Sequence, residues 1–338
     1  MEERILLIDG SSMLTSNFYG TVPKEYYKAK TDEEKEEIYK KIMQTSTGIY
    51  TNAVYTTLKM ISYIIHSCNI KYMAVAFDVS RNTFRAQIMP EYKSQRKATP
   101  NLLKEQFILM ENVLQRIGIP VLMSEKYEAD DLVGSLAEKL KKQDHVYLWS
   151  KDKDYLQLVD NNVTLWMALN DKFTEEKLYK ACNLTKESWL PDKVFPYTPD
   201  RVKLIYGICP EQVVDWKAMS GDSSDNIKGI PGISDKTTIP LLQKYGSMEE
   251  IYSELSSCDE DPVKEKELAN IWKNELGIKR SPIKYLKEGK ETGKLSQQLA
   301  TIKIDVPMDI SKEDLFIKIN RNELNKIKEE LEITNLYL

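Results

Sequence analysis

Nine carboxylates fall in five short clusters along this chain of 338 residues: Asp9 in LLIDGSS, Asp78 in VAFDVS, Glu128, Asp130 and Asp131 in YEADDLVGSL, Asp152 and Asp154 in WSKDKDY, and Asp222 and Asp225 in SGDSSDN. Hard divalent cations take oxygen ligands, whereas zinc and copper sites recruit His and Cys. The chain has two histidines, His66 and His145, and its four cysteines (Cys68, Cys182, Cys209, Cys258) never reach a CxxC spacing. One acidic cluster alone has a plainer reading, because acids in a first helical turn offset the helix dipole by ~0.3–1 kcal/mol each. Five clusters gathered without cations would suffer mutual repulsion and desolvation, so the set implies bound metal. A pair of Mg²⁺ ions, with Mn²⁺ able to substitute, is the economical expectation.

Such a site needs elements that bring the acids together. Arg4 to Asp9 and Tyr72 to Asp78 read as buried strands that each end in a carboxylate, and Val146 to Trp149 is a strand running into Lys151 and Asp152. Ile119 to Met123 reads as a further short strand. Helical spacing appears over Val54 to Ile65, over Phe107 to Ile117 with Ile108, Val113, Leu114 and Ile117 as its apolar face, and over Ala129 to Leu140 with Leu132, Val133, Leu136 and Leu140 inward. Apolar strands alternating with helices predict an α/β fold, a mostly parallel sheet covered on both faces. Ligands of such sheets sit beyond the carboxyl ends of the strands, where Asp9, Asp78 and Asp152 fall.

With 41% apolar and 30% charged residues the chain can bury a large core. The acidic start MEERILLIDG is unlike a signal peptide, and no apolar run reaches the ~18 residues that span a membrane, so a cytoplasmic protein with no membrane partner is expected. Net charge is −4, yet between Arg81 and Lys104 six basic residues (Arg81, Arg85, Lys93, Arg96, Lys97, Lys104) face one acid, Glu91. The global balance therefore does not exclude a nucleic-acid partner. Two charged or proline-bearing stretches, about 21–44 and 175–199, read as inserts, the first a solvated helix. No GxxxxGK[ST] is present, which removes P-loop ATP hydrolysis.

The set IDGSS, FDVSRNTFR, YKSQR, YEADD, SKDKDYLQLV and SGDSSDNIKGIPGISDKT, in that order and spacing, resembles the 5′ nuclease family: the 5′-3′ exonuclease domain of bacterial DNA polymerase I, bacteriophage 5′-exonucleases and flap endonucleases. The resemblance runs from about Ile5 to Leu338, where the chain ends, so a stand-alone form without a polymerase domain is expected. It implies a PIN-like nuclease core over 1–218, a helical arch at about 81–105, and a C-terminal helical DNA-binding region over 219–338 with a helix-hairpin-helix-like motif at about 226–247. Asp9, Asp78, Glu128 and Asp130 would form a first metal site. Asp152, Asp154, Asp222 and Asp225 would form a second, with Asp130 or Asp131 between them.

The same resemblance makes Arg85 and Lys93 cationic clamps on the reacting phosphate and Tyr92 a platform for an unpaired base, with Arg96 and Lys97 as further contacts. Gly229, Gly232, Lys236 and Thr237 would grip the duplex backbone through exposed N–H groups and charge, with a K⁺ at that turn. Ser234 replaces the third glycine of the usual pattern, and Thr15-Ser16 stand where a Tyr-Arg pair is usual. Gly48, Thr51, Asn52, Ala53 and Val54 match the family's substrate-binding stretch. The implied activity is structure-specific hydrolysis of DNA at 5′ flaps, nicks or free 5′ ends by a monomer, leaving a 5′-phosphate and a 3′-hydroxyl. The alternatives are RNA in RNA–DNA hybrids as the main substrate, or a non-catalytic metal-dependent binder of branched DNA.

Overall fold

A computed structural model describes residues 3–258 and 261–338. Six strands form one sheet in the order β3-β2-β1-β4-β5-β6. They are β1 (Arg4–Asp9), β2 (Ile70–Asp78), β3 (Val121–Ser124), β4 (Val146–Ser150), β5 (Val163–Ala168) and β6 (Val194–Tyr197). The first five are parallel and β6 pairs antiparallel with β5. Ile5 to Ile8 have no exposed surface, because β1 is central and helices cover both faces. The strand order turns back between β1 and β4, and at that switch point the carboxyl ends open a crevice. Asp9 ends β1 and Asp78 ends β2, with Asp152 two residues beyond β4. β5 and β6 lie outside the sequence expectation.

The helix expected around 107–117 runs Asn101–Ile117, and its buried face is Leu103, Gln106, Met110, Val113, Leu114 and Ile117. Ile108, expected on that face, is 69% exposed. The spacing from Leu103 to Ile117 fixes the inward stripe, and Ile108 falls opposite it. Of the stretch expected to form the arch, Phe84–Ile88 is helical before turns lead to Asn101. The first insert forms a short 3₁₀ turn and the capped helix Asp32–Tyr39.

After β6 the chain is helical. Val213–Ser220 and Asp235–Tyr245 form a packed pair joined by the loop 221–234, and Lys290–Ala300 lies against the first of them. The chain then returns to the sheet and its helices. Lys303 N–H donates to Asp131 Oδ1 (2.8 Å), Val306 N–H to Ser135 Oγ (2.9 Å), and Ile317 N–H to the carbonyl of Lys71 (2.9 Å). Arg116 pairs with Glu323 and Glu330 on the last helix, Arg321–Glu330.

The loop carrying Asp222 and Asp225 closes through two glycines laid back to back. Asp222 and Ile227 exchange both backbone hydrogen bonds (2.7 and 2.8 Å), and Gly221 and Gly229 both have positive φ, 82° and 63°. A Cβ at Gly229 would lie 2.3 Å from the backbone nitrogen of Gly221. Gly229→Ala combines a left-handed alanine with a backbone clash, and urea unfolding should register a loss of about 3 kcal/mol.

Candidate metal and phosphate site

Helix starts hold the acids at the crevice. Asp9 caps helix Gly10–Thr21 by accepting from Ser12 N–H (2.8 Å), and its other oxygen accepts from Ser150 Oγ (2.8 Å). Asp78 accepts from Ala129 N–H (2.8 Å) at the start of helix Ala129–Leu140, which Glu128 and Asp131 cap as a capping box. Asp152 begins the 3₁₀ turn Lys153–Leu158 by accepting from Asp154 N–H (2.9 Å). The N-terminal ends of these elements place positive dipoles where like charges gather, so the modest capping effect is present alongside any larger role.

Basic side chains bridge the acidic clusters. Lys93 Nζ donates to Glu128 (2.7 Å) and lies 3.6 Å from Asp225, and Arg96 pairs with Asp225. Lys217 lies against Asp154 and donates to Asp222 (2.7 Å). The basic turn and the acidic loop are also laced by backbone: Lys93 N–H donates to Asp225 O (3.0 Å) and Asn226 Nδ2 to Glu91 O (2.8 Å). Together they border a cleft of about 950 Å³ lined by Arg96, Lys151, Lys153, Lys217 and Lys228 beside Asp152 and Asp222. Lys217 was not singled out from the sequence. Its signal was a lone lysine in helix Val213–Ser220, one turn after buried Val213 and five residues before Asp222.

No group of three or more Asp, Glu, His or Cys side chains among the described residues is arranged to hold one ion as it stands. The physical reason is visible in the pairings: Lys93, Arg96, Lys217 and Arg85 neutralise carboxylates that would otherwise repel. The donor chemistry nonetheless fits hard cations, being all oxygen. Asp130 Oδ1 is buried without a hydrogen bond, with Arg85 3.9 Å away. Such an atom is costly unless a positive partner meets it.

Electrostatics agree. Burial first, then the charge of Asp78, push Asp9 up to about 7, despite the hydrogen bonds from Ser12 and Ser150. Burial likewise raises Asp130 against the opposing charge of Arg85, and Asp152 against that of Lys217. Burial also acts on Asp222, but the charge and hydrogen bond of Lys217 and the bonds from Ser224 outweigh it and hold Asp222 at about 2. Burial lowers Lys93, yet Tyr92, Glu128 and Asp225 keep it well above the ordinary lysine value.

Four expected roles change. Arg85 is 1% exposed and grips Asp131 with two bonds (2.7 and 2.8 Å), while donating to the carbonyls of Leu299 (3.0 Å) and Thr301 (2.7 Å). It is a buried tether, not a clamp facing a phosphate. Asp131 is fully buried and is saturated by Arg85 together with the N–H groups of Glu128 and Lys303, which leaves no lone pair for a metal. Tyr92 is 7% exposed with its hydroxyl on Glu128 and Asp225, so its ring offers no stacking face. Gly229 is buried and donates its N–H to Ser296 Oγ (3.1 Å), not outward.

Other expected contacts divide by exposure. Lys97, Gly232 and Lys236 are exposed and Thr237 half-buried, whereas Thr51, Asn52, Ala53 and Val54 lie inside. Sequence spacing could not separate Arg85 from Lys93, since both sit in one basic run.

Removing Arg85 leaves Asp131 buried and unpaired, so Arg85→Ala should lower unfolding free energy by about 3–5 kcal/mol, and Arg85→Met with Asp131→Leu should recover most of it. A phosphate clamp would instead lose cleavage at unchanged stability. A second expectation concerns pH. Asp9's folded value lies above its ordinary 3.8, so its contribution is intact below about pH 4 and is lost as pH rises through 7; Asp130 and Asp152 act in the same sense. Asp222 acts oppositely, but only in acid. Urea midpoints of the metal-free protein should therefore fall between about pH 5 and pH 8, and excess Mg²⁺ should flatten that fall.

Comparison with known proteins places the fold and the family. Residues 4–186 match the family described as 5′-3′ exonuclease, N-terminal resolvase-like domain, and residues 208–323 match 5′-3′ exonuclease, C-terminal SAM fold. A 5′-3′ exonuclease of Aquifex aeolicus is 32% identical over 330 residues, covering 97% of this chain and 91% of that protein. DNA polymerase I of Bacillus caldotenax is also 32% identical, over 316 residues that cover 93% of this chain but 30% of the polymerase. Among solved structures, the bacteriophage T5 flap endonuclease in a pseudo-enzyme-product complex with DNA and metal ions shares the fold, with a TM-score of 0.57, 18% identity and 97% coverage of each chain. No helix among the described residues is long and apolar enough to cross a membrane. The chain belongs to the 5′-3′ exonuclease family.

Proposed function

We propose that this chain hydrolyses DNA phosphodiesters at 5′ flaps, nicks and free 5′ ends as a monomer, with two Mg²⁺ ions, leaving a 5′-phosphate and a 3′-hydroxyl. The observation that carries the reading is that the acids after β1, β2 and β4 and those of the loop 221–229 act on one another, Asp9 with Asp78 and Asp152 and Asp152 with Asp225, beside a cleft bordered by cations. Two acids in a helix start would be capping; eight gathered at one end of a sheet, with Asp152 and Asp222 lining a basic cleft, need counter-ions.

Asp9, Asp78, Glu128 and Asp130 would hold one ion, and Asp152, Asp154, Asp222 and Asp225 the other. Bound there, a divalent pair supplies Lewis-acid polarisation of the phosphate and an activated water. Lys93 and Lys217 serve as counter-charges to the carboxylates of Glu128, Asp154 and Asp222, and with those carboxylates engaged by ions both would be available to a phosphate. Arg96, at the rim and 45% exposed in its side chain, is the better second phosphate contact than Arg85. Lys97 and Lys236 add sequence-independent backbone contacts, and the carbonyls of the turn after Gly229 would take a K⁺.

The proposal is tested on a 5′-labelled double-flap DNA. Release of the 5′ arm near the junction should need Mg²⁺, stop with EDTA and fall by at least about 100-fold in Asp152→Ala. Lys93→Ala should lower single-turnover cleavage about 100-fold with DNA affinity changed far less, as expected for a group that acts on the transition state. Tight flap binding without cleavage in Mg²⁺ or Mn²⁺ would overturn the enzymatic reading.

A further inference from the structure

Tyr155 lies in the 3₁₀ turn Lys153–Leu158, directly after Asp152 and Asp154. Its side chain is packed in the core and the residue is 1% exposed. Its hydroxyl is buried and has no hydrogen-bond partner among the described residues. The charged groups facing it are Asp9 from β1, Asp78 from β2, Asp130 from helix Ala129–Leu140, and Asp152 after β4. A second orphaned atom, Oδ1 of Asp130, belongs to the same group of side chains.

A buried phenol is an expensive group to leave unpaired, and phenylalanine would fill the core equally well. Four carboxylates act on the hydroxyl through their charge, yet it donates to none of them, so a group bridging it to them would meet its need for a partner. An oxygen in the coordination shell of a hard cation satisfies both sides: the carboxylates face the ion and the phenol donates to its water. Tyr92, the other tyrosine at the site, already uses its hydroxyl on Glu128 and Asp225.

We propose that the Tyr155 hydroxyl is a positioning group of the first metal site, donating its O–H to a water of the ion that Asp9, Asp78, Glu128 and Asp130 would hold. This rests on the two-ion reading given above. The hydroxyl orients that water and fixes the ion's distance from the acids, acting through the ion's coordination shell and not on the DNA.

The test uses full-length wild-type protein and Tyr155→Phe, with Mn²⁺ as the probe and no DNA. Mn²⁺ binding is followed by calorimetry and by electron paramagnetic resonance, and melting temperature is recorded with and without the metal. Metal-free Tyr155→Phe should melt no lower than wild type, because no protein hydrogen bond is lost. Its Mn²⁺ affinity at one site should fall about tenfold, with a smaller melting increment on loading. Equal affinities and equal increments in the two proteins would overturn the inference while leaving the two-ion reading intact. A metal-free variant that melts lower with an unchanged increment would also overturn it, assigning the hydroxyl to the protein's own bonding. Wild type that binds no Mn²⁺ would overturn both.

Discussion

Repulsion among carboxylates at one end of a sheet is the constraint that the rest of this molecule answers. Asp9 pays it most visibly, with its carboxyl pushed up to about 7 by burial and by Asp78. The fold answers in three ways. Helix N-termini point at Asp9, Asp78 and Glu128; Lys93, Arg96 and Lys217 stand between clusters; and Arg85 removes Asp131 from the group altogether by burying it in a two-pronged bond. On the two-ion proposal, divalent ions would complete that balance by taking the lysines' places.

The parallel core was legible because its signals are local. ILLID, YMAVAFD and VYLWSKD each carry an apolar run and a terminal acid, and the doubly covered sheet follows from their alternation with helices. β6 was not legible: VFPY is four residues long, contains a proline and sits on an antiparallel edge, so nothing in its own pattern distinguishes it from a loop. Ile108 misled for a related reason, since an apolar residue in a helical segment carries no label saying which side it faces until the full stripe from Leu103 is counted.

Within the site, residue type was legible and partner was not. The acids that converge were all visible as clusters, yet Asp130 and Asp131 are adjacent and differ completely: one has an unbonded oxygen, the other is saturated. Arg85, Tyr92 and Lys93 lie within nine positions, and only Lys93 keeps a partly exposed side chain. What sets Arg85 apart is the tail from Leu299 onward, whose carbonyls and N–H groups reach Arg85 and Asp131 from 172 to 216 residues away. A pattern read along the chain has no access to a partner at that distance.

That tail gives the molecule a property in time as well as in space. Chains are made from the N-terminus and fold as they emerge, and contacts between distant segments close late. The first carboxylates are synthesised with Asp9, but Arg85 has no backbone acceptors until Leu299 and Thr301 have been added, and Asp225 has to meet Lys93 across 132 positions. A growing chain therefore carries the first acids long before the cleft they share. The geometry that gathers them is completed only once residues 299–303 have been added, so a copy that stops short of them lacks the assembled site.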